Sequence, residues 1–220
     1  MTQLDRVMEQ IEQARLRVSG HHIVKLVAVS KYSTSEEVKA LYALGQRAFG
    51  ENKVQDLEEK MTDLETLPLE WHFMGNLQKN KINKLIDLAP DLVQSVSSLE
   101  LAREIQQRLA VKEAYFEALL QINSAKEDTK GGVMPEEAAD IYRQIKTECP
   151  NIKLQGVMTI GAHVDDRDII KQSFEITHAI YETLKADGAD ICSMGMSGDF
   201  ELAIECGSNM VRLGSVLFKA

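Results

Sequence analysis

Lys31 closes the run Ile23-Val24-Lys25-Leu26-Val27-Ala28-Val29-Ser30, which is apolar and rich in β-branched residues. An amine at the end of a buried strand loses hydration, which favours its neutral form, and a neutral amine condenses with a carbonyl to give an imine. Position alone favours the plainer reading, a strand-end lysine extending into water. Two small-residue segments lie near the other end of the chain. Ser193-Met194-Gly195-Met196-Ser197-Gly198 offers backbone N–H groups, a hydroxyl and the approach to a helix N-terminus, and Arg212-Leu213-Gly214-Ser215 adds a fixed cation beside a loop that lets a ligand approach closely. Such loops bind phosphate, but glycine and serine are also ordinary turn residues. Together with the lysine, the two segments fit an anionic carbonyl ligand. His72, inside the strand-like segment Trp71-His72-Phe73, fits either a ligand contact or a satisfied structural histidine. His163, Asp165 and Asp166 lack a metal-ligand spacing and read as a solvated loop, so no metal site is expected.

These residues need elements to position them. The chain has 220 residues, 44% of them hydrophobic and 27% charged, enough for one substantial core. A net charge of −9 without a basic stripe argues against nucleic acid, and no apolar stretch is long enough for a membrane span. The start Met1-Thr2-Gln3-Leu4-Asp5-Arg6 has no apolar signal core, and the cysteines at 149, 192 and 206 lack paired spacing, so a reducing cytoplasm is expected. Strand-like segments fall at 23–30, 47–50, 70–74, 92–96, 116–122, 154–160, 191–194 and 210–213. A helix carrying Leu4, Val7, Ile11, Ala14 and Val18 precedes them, and helical patterns separate them. Ser33 with Glu36 and Ser97 with Glu100 have capping-box spacing, Gly45 is a stop, and Pro135 suits a first helical turn. Ile169, Ile176, Ile180 and Leu184 read as the buried stripe of a long helix, and 201–206 as a short one. Strands alternating with helices imply parallel βαβ units, and eight of them imply a single-domain (β/α)₈ barrel over 1–220 with an extra N-terminal helix. An open doubly wound sheet is the alternative. In a barrel, Lys31, Ser197, Gly198, Arg212, Gly214 and Ser215 all fall at the C-terminal ends of strands. The polar loop 127–132 is expected to be a connector or a mobile flap.

Several motifs occur in order: Ala28-Val29-Ser30-Lys31, Phe49-Gly50-Glu51-Asn52, Trp71-His72-Phe73-Met74-Gly75, Asn123 with Glu127, Lys130 and Gly132, Gly156-Val157-Met158, Ser193-Met194-Gly195-Met196-Ser197 with Asp199, and Val211-Arg212-Leu213-Gly214. On these the chain resembles the pyridoxal 5′-phosphate (PLP) homeostasis protein family, single-domain relatives of the alanine racemase barrel. The resemblance implies PLP held as an internal aldimine on Lys31, its phosphate at Ser197 and the Gly214-Ser215 backbone, and Arg212 near the pyridine nitrogen. It also implies Asn52 and His72 beside the ring. Tyr32 departs from the small hydroxyl residue usual after the family's lysine, and the end Phe218-Lys219-Ala220 departs from a glycine close behind the phenylalanine.

The role this implies is a non-catalytic, monomeric carrier that controls PLP supply and hands it to PLP-dependent apoenzymes. The racemase relatives bring a tyrosine across the ring from a second domain, and a barrel that uses all 220 residues has none, so two-base racemisation lacks a base. A PLP-dependent racemase or decarboxylase of amino acids is the alternative, and an imine-forming aldolase a more distant one.

Overall fold

A computed structural model describes residues 1–127 and 130–218. Eight parallel strands close into a barrel in chain order: β1 (Lys25–Val29), β2 (Ala48–Glu51), β3 (Glu70–Phe73), β4 (Leu92–Val96), β5 (Phe116–Ile122), β6 (Ile152–Thr159), β7 (Ile191–Ser193) and β8 (Met210–Leu213). Closure is made by β8 against β1, with Leu26 opposite Val211 and Val27 opposite Arg212. The helices are α1 (Gln3–Val18), α2 (Ser35–Ala43), α3 (Val54–Asp63), α4 (Ile82–Leu88), α5 (Leu99–Val111), α6 (Ala138–Glu148), α7 (Arg167–Leu184), α8 (Phe200–Glu205) and α9 (Ser215–Phe218). The expected barrel with its extra N-terminal helix is therefore the fold, and the open sheet is excluded. No described helix is long and apolar enough to cross a membrane.

Local chemistry explains the boundaries. The Thr2 hydroxyl accepts the Asp5 N–H at 3.1 Å while the Asp5 carboxylate accepts the Thr2 N–H at 2.7 Å, so α1 opens with a reciprocal cap that the spacing analysis did not use. The next box is one residue later than expected: Thr34 pairs with Glu37, not Ser33 with Glu36. Ser98, not Ser97, caps α5 by accepting the Leu101 N–H at 3.0 Å. Pro135 lies in the turn before α6, and the tail after β8 contains α9. The buried face of α7 is Phe174, Thr177, Tyr181 and Leu184, whereas Ile169 is exposed. Between β5 and β6 the register slips, because Ala118 pairs with Leu154 but Leu119 with Gly156. Gly156 sits at φ +151°, and a Cβ there would meet the Ile191 carbonyl oxygen at 1.9 Å, so glycine is required.

Two apolar layers result. Helices pack against the outside of the sheet around Phe49, Trp71, Leu120 and Phe174. The barrel interior holds Val27, Ala48, Leu92, Leu119, Met158 and Met210. A buried ionic clamp fixes the chain just before Lys31. The Ser30 N–H donates to the Gly50 carbonyl at 3.0 Å, and its hydroxyl donates to Glu51 Oε1 at 2.6 Å. Lys60 Nζ donates to the Ser30 carbonyl at 2.6 Å and to Glu51 Oε1 at 2.5 Å. Glu51 is fully buried, and its Oε2 has no partner among the described residues.

Removing one ion of such a pair strands the other in a poor solvent. Lys60→Met is expected to cost about 3 to 5 kcal/mol of stability in urea unfolding, and Lys60→Met with Glu51→Leu to recover most of it. A loss below about 1 kcal/mol for the single variant would show that the clamp is not needed.

Candidate functional site

A cavity of about 710 Å³ opens at the C-terminal ends of the strands. Lys31, Asn52, Ser197, Gly198, Arg212, Gly214 and Ser215 all line it. Its apolar wall includes Val29, Met74, Met158 and Ile160. The parallel closed sheet brings these residues together from segments nearly the whole chain apart.

Lys31 follows the Ser30 clamp and is exposed, which agrees with the plainer reading of a strand-end lysine extending into water and not with a desolvated amine. The β1–α2 loop turns outward there, and Lys31 Nζ lies 5.2 Å from the centroid of the Tyr32 ring, itself 89% exposed. The amine stands at the rim and not on the floor. Asn52 is fixed by its backbone: a Cβ on Gly75 would come within 1.8 Å of the Asn52 carbonyl oxygen, so the end of β3 lies directly against it. The Asn52 side chain makes no hydrogen bond among the described residues and is free for a ligand.

The two small-residue segments are joined. Ser197 Oγ accepts the Gly214 N–H at 3.2 Å, so that amide is already engaged. The N–H groups of Ser197, Gly198 and Ser215 make no hydrogen bond among the described residues, and the Ser197 hydroxyl keeps its proton to donate. Ser197 and Gly198 form the turn before α8, not its first residues, since the helix begins at Phe200.

Arg212 contrasts with Lys31, being only 4% exposed. Its Nη1 donates to Ser193 Oγ at 2.6 Å, its Nη2 to the Thr159 carbonyl at 2.7 Å, and its backbone N–H to the Gly195 carbonyl at 3.0 Å. Burial pushes the guanidinium down to about 10, opposed by the Asp199 charge, so it remains a cation at neutral pH. Among the described residues no carboxylate lies within ion-pairing distance of it. Asp199 is the strongest charge acting against that burial effect. Burial raises its carboxyl above the usual carboxylate range, although the Met196 N–H donates to its Oδ1 at 2.6 Å. Asp199, Ser193 and Thr159 were not among the expected site residues, although Ser193 and Asp199 both stand in one of the sequence motifs.

His72 is not in the cavity. It is fully buried one layer lower, its Nε2 2.7 Å from Glu70 Oε1 and its Nδ1 2.8 Å from Gln94 Nε2. Side chains two apart on a strand share a face one layer apart, and Met74, two residues on, takes the place in the wall expected of His72. In the loop expected to be a connector or a mobile flap, Lys130 Nζ donates to Glu127 Oε1 at 2.8 Å and to the Gly161 carbonyl at 2.7 Å, while residues 128 and 129 lie outside the described residues. No described cluster of His, Cys, Asp or Glu could hold a metal ion.

The alanine racemase N-terminal domain family matches residues 2–220. The pyridoxal phosphate homeostasis protein of Helicobacter pylori (strain ATCC 700392 / 26695) is 53% identical over 216 residues, spanning 98% of this chain and 96% of that protein. That of Aquifex aeolicus (strain VF5) is 36% identical, over 98% and 95% of the two chains. The structure of PipY from Synechococcus elongatus PCC7942 with PLP bound superposes with a TM-score of 0.81 at 29% identity, covering 95% of this chain and 99% of that one. With a racemase-type barrel throughout and relatives this similar along nearly their whole length, the chain belongs to the pyridoxal phosphate homeostasis protein family.

Proposed function

We propose that this protein binds PLP in the barrel mouth and serves PLP homeostasis as a cytoplasmic, monomeric, single-domain carrier. The observation that carries the reading is a buried guanidinium without a carboxylate partner, facing a cavity that also presents a primary amine and unengaged backbone amides. A buried cation calls for an electron-rich partner, free amides call for an anion, and an amine calls for a carbonyl. PLP combines a ring nitrogen, a phosphate and an aldehyde, so the residues fit it.

In this reading Lys31 supplies the amine that anchors the aldehyde. The Ser197 hydroxyl and the N–H groups of Ser197, Gly198 and Ser215 hold the phosphate, and Gly214 contributes by positioning Ser197. Arg212 directs a donor at the pyridine nitrogen, and Asn52 borders the ring. When bound, PLP supplies an aldehyde that condenses with a primary amine and loses water. The clamp on Ser30 fixes the base of the Lys31 side chain while its tip stays in solvent, where an acceptor protein's lysine can reach the same ligand.

The carrier reading also rests on where the proton-transfer groups stand. Lys31, Tyr32 and Glu37 line the cavity, and all three come from one stretch of chain, the loop after β1 and the first turn of α2. Racemisation needs a proton carrier on each face of the ring. One segment serves one face, which favours holding over turnover.

Purified protein mixed with PLP is expected to show a visible imine band that borohydride bleaches, with the reduced pyridoxyl group on Lys31 by peptide mass mapping. Lys31→Ala is expected to lose covalent labelling, and an adduct on another lysine would reassign the anchor. Ser197→Ala is expected to weaken PLP binding roughly tenfold, the loss of one hydrogen bond to a charged group. Unchanged affinity would move the phosphate elsewhere. Turnover of free amino acids by the PLP-loaded protein would favour the racemase or decarboxylase alternative.

A further inference from the structure

A continuous hydrogen-bonded chain crosses the barrel interior from its N-terminal floor to the cavity. At the floor, Lys25 at the start of β1 and Glu70 at the start of β3 form an ion pair. His72 Nε2 lies 2.7 Å from the same Glu70 oxygen, and Gln94 Nε2 lies 2.8 Å from His72 Nδ1. Gln94 Oε1 is 2.7 Å from Ser193 Oγ, which is 2.6 Å from Arg212 Nη1. His72, Gln94 and Ser193 are fully buried, and none of them, nor Glu70, lines the cavity.

The two ends dictate the direction of every link. A guanidinium can only donate, and an ionised carboxylate can only accept. Glu70 is ionised: the His72 hydrogen bond and Lys25 hold it down to about 2, against its partial burial. His72 Nε2 therefore carries its proton toward Glu70. Ser193 Oγ accepts from Arg212 and must spend its own proton on Gln94 Oε1. That turns the Gln94 amide nitrogen toward His72 Nδ1, which accepts. A flipped Gln94 would aim two donors at Ser193 and put its oxygen against the His72 lone pair. Only one arrangement satisfies all the groups, and partly satisfied buried networks are costly.

We infer that His72, Gln94 and Ser193 are positioning residues that form a one-way donor chain from Arg212 to Glu70 and thereby set the orientation of Arg212 toward the ligand. The chain is neutral along its middle, so it holds a buried cation with dipoles and leaves the charge free to act on the cavity. The side chain that terminates the chain lies at the opposite end of the barrel from the ligand. The inference rests on the proposed PLP reading only for its ligand readout, since the chain itself is a property of the empty protein.

The test pairs two measurements. Nitrogen-15 NMR of the ligand-free protein at pH 8 is expected to show His72 as the neutral tautomer protonated on Nε2. A tautomer protonated on Nδ1 would overturn the chain whatever the ligand. Gln94→Leu is then compared with wild type for PLP affinity, the absorption maximum of bound PLP and melting temperature, with Ser193→Ala as the smaller change where Gln94→Leu does not fold. Expected are roughly tenfold weaker binding and a shifted absorption maximum. A lower melting temperature with unchanged affinity and absorption maximum would reduce the chain to packing and overturn the inference. Wild-type protein that takes up no PLP would sink the proposed function, and the tautomer measurement would then decide the chain alone.

Discussion

A guanidinium held out of water with no carboxylate beside it is the constraint that organises the upper barrel. A buried charge must be repaid by dipoles or by a counterion. Here dipoles do most of it: the Ser193 hydroxyl and the Thr159 carbonyl, from two neighbouring strands, accept from the guanidinium, while the Gly195 carbonyl fixes the Arg212 backbone N–H. The apolar layer of Val27, Leu92, Leu119, Met158 and Met210 keeps water from that region, so each of these bonds acts in a poor dielectric. Asp199 opposes the charge from a distance and is itself made a weaker acid by burial. The balance is incomplete on the cavity side, and on the proposed reading that deficit would favour an electron-rich ligand.

The other half of the site is built on opposite terms. Lys31 stands in solvent on a short loop, and its precision comes from the residue before it. All three polar groups of Ser30 are engaged, two of them with the buried Lys60–Glu51 pair. A rigid root with a free tip suits a group that must meet a ligand and let it go. A buried arginine wired to the barrel floor suits one that must not move. Parallel closure is what lets both face one cavity, because it collects every strand's C-terminal end on the same side.

The barrel was legible because each strand is a compact apolar run bounded by polar segments, so the alternation survives errors of a residue or two. Finer features failed where two neighbours were chemically competent. Ser33 and Thr34 both cap, and Glu36 and Glu37 both complete a box, so spacing could not choose between them. The face of α7 was misread because isoleucine is more apolar than serine or threonine. Ser173 and Thr177 are nevertheless buried, for their hydroxyls bond back to the Ile170 and Ser173 carbonyls and need no partner elsewhere. His72 was placed on the right strand but one layer too high, since depth in a barrel follows from strand register, which no single strand's sequence contains. The exposure of Lys31 is the plainer of its two sequence readings, since an apolar strand says nothing about the direction of the loop that leaves it.

The donor chain bears on why a racemase-type barrel would serve as a carrier. An arginine beside a pyridine nitrogen can donate to it but does not surrender a proton readily, so the nitrogen stays an acceptor and the ring withdraws fewer electrons than it would beside a carboxylic acid. The chain from Glu70 reinforces this. Every donor in it points toward the floor of the barrel, and the groups that touch the Arg212 guanidinium, the Ser193 hydroxyl and the Thr159 carbonyl, accept from it and return no proton to it. With Lys31, Tyr32 and Glu37 all on the stretch from the end of β1 into the first turn of α2, proton transfer would be restricted as well. On the proposed reading, a site that binds an aldehyde, damps its electronic reactivity and supplies protons from one side would have the properties required for storage and release.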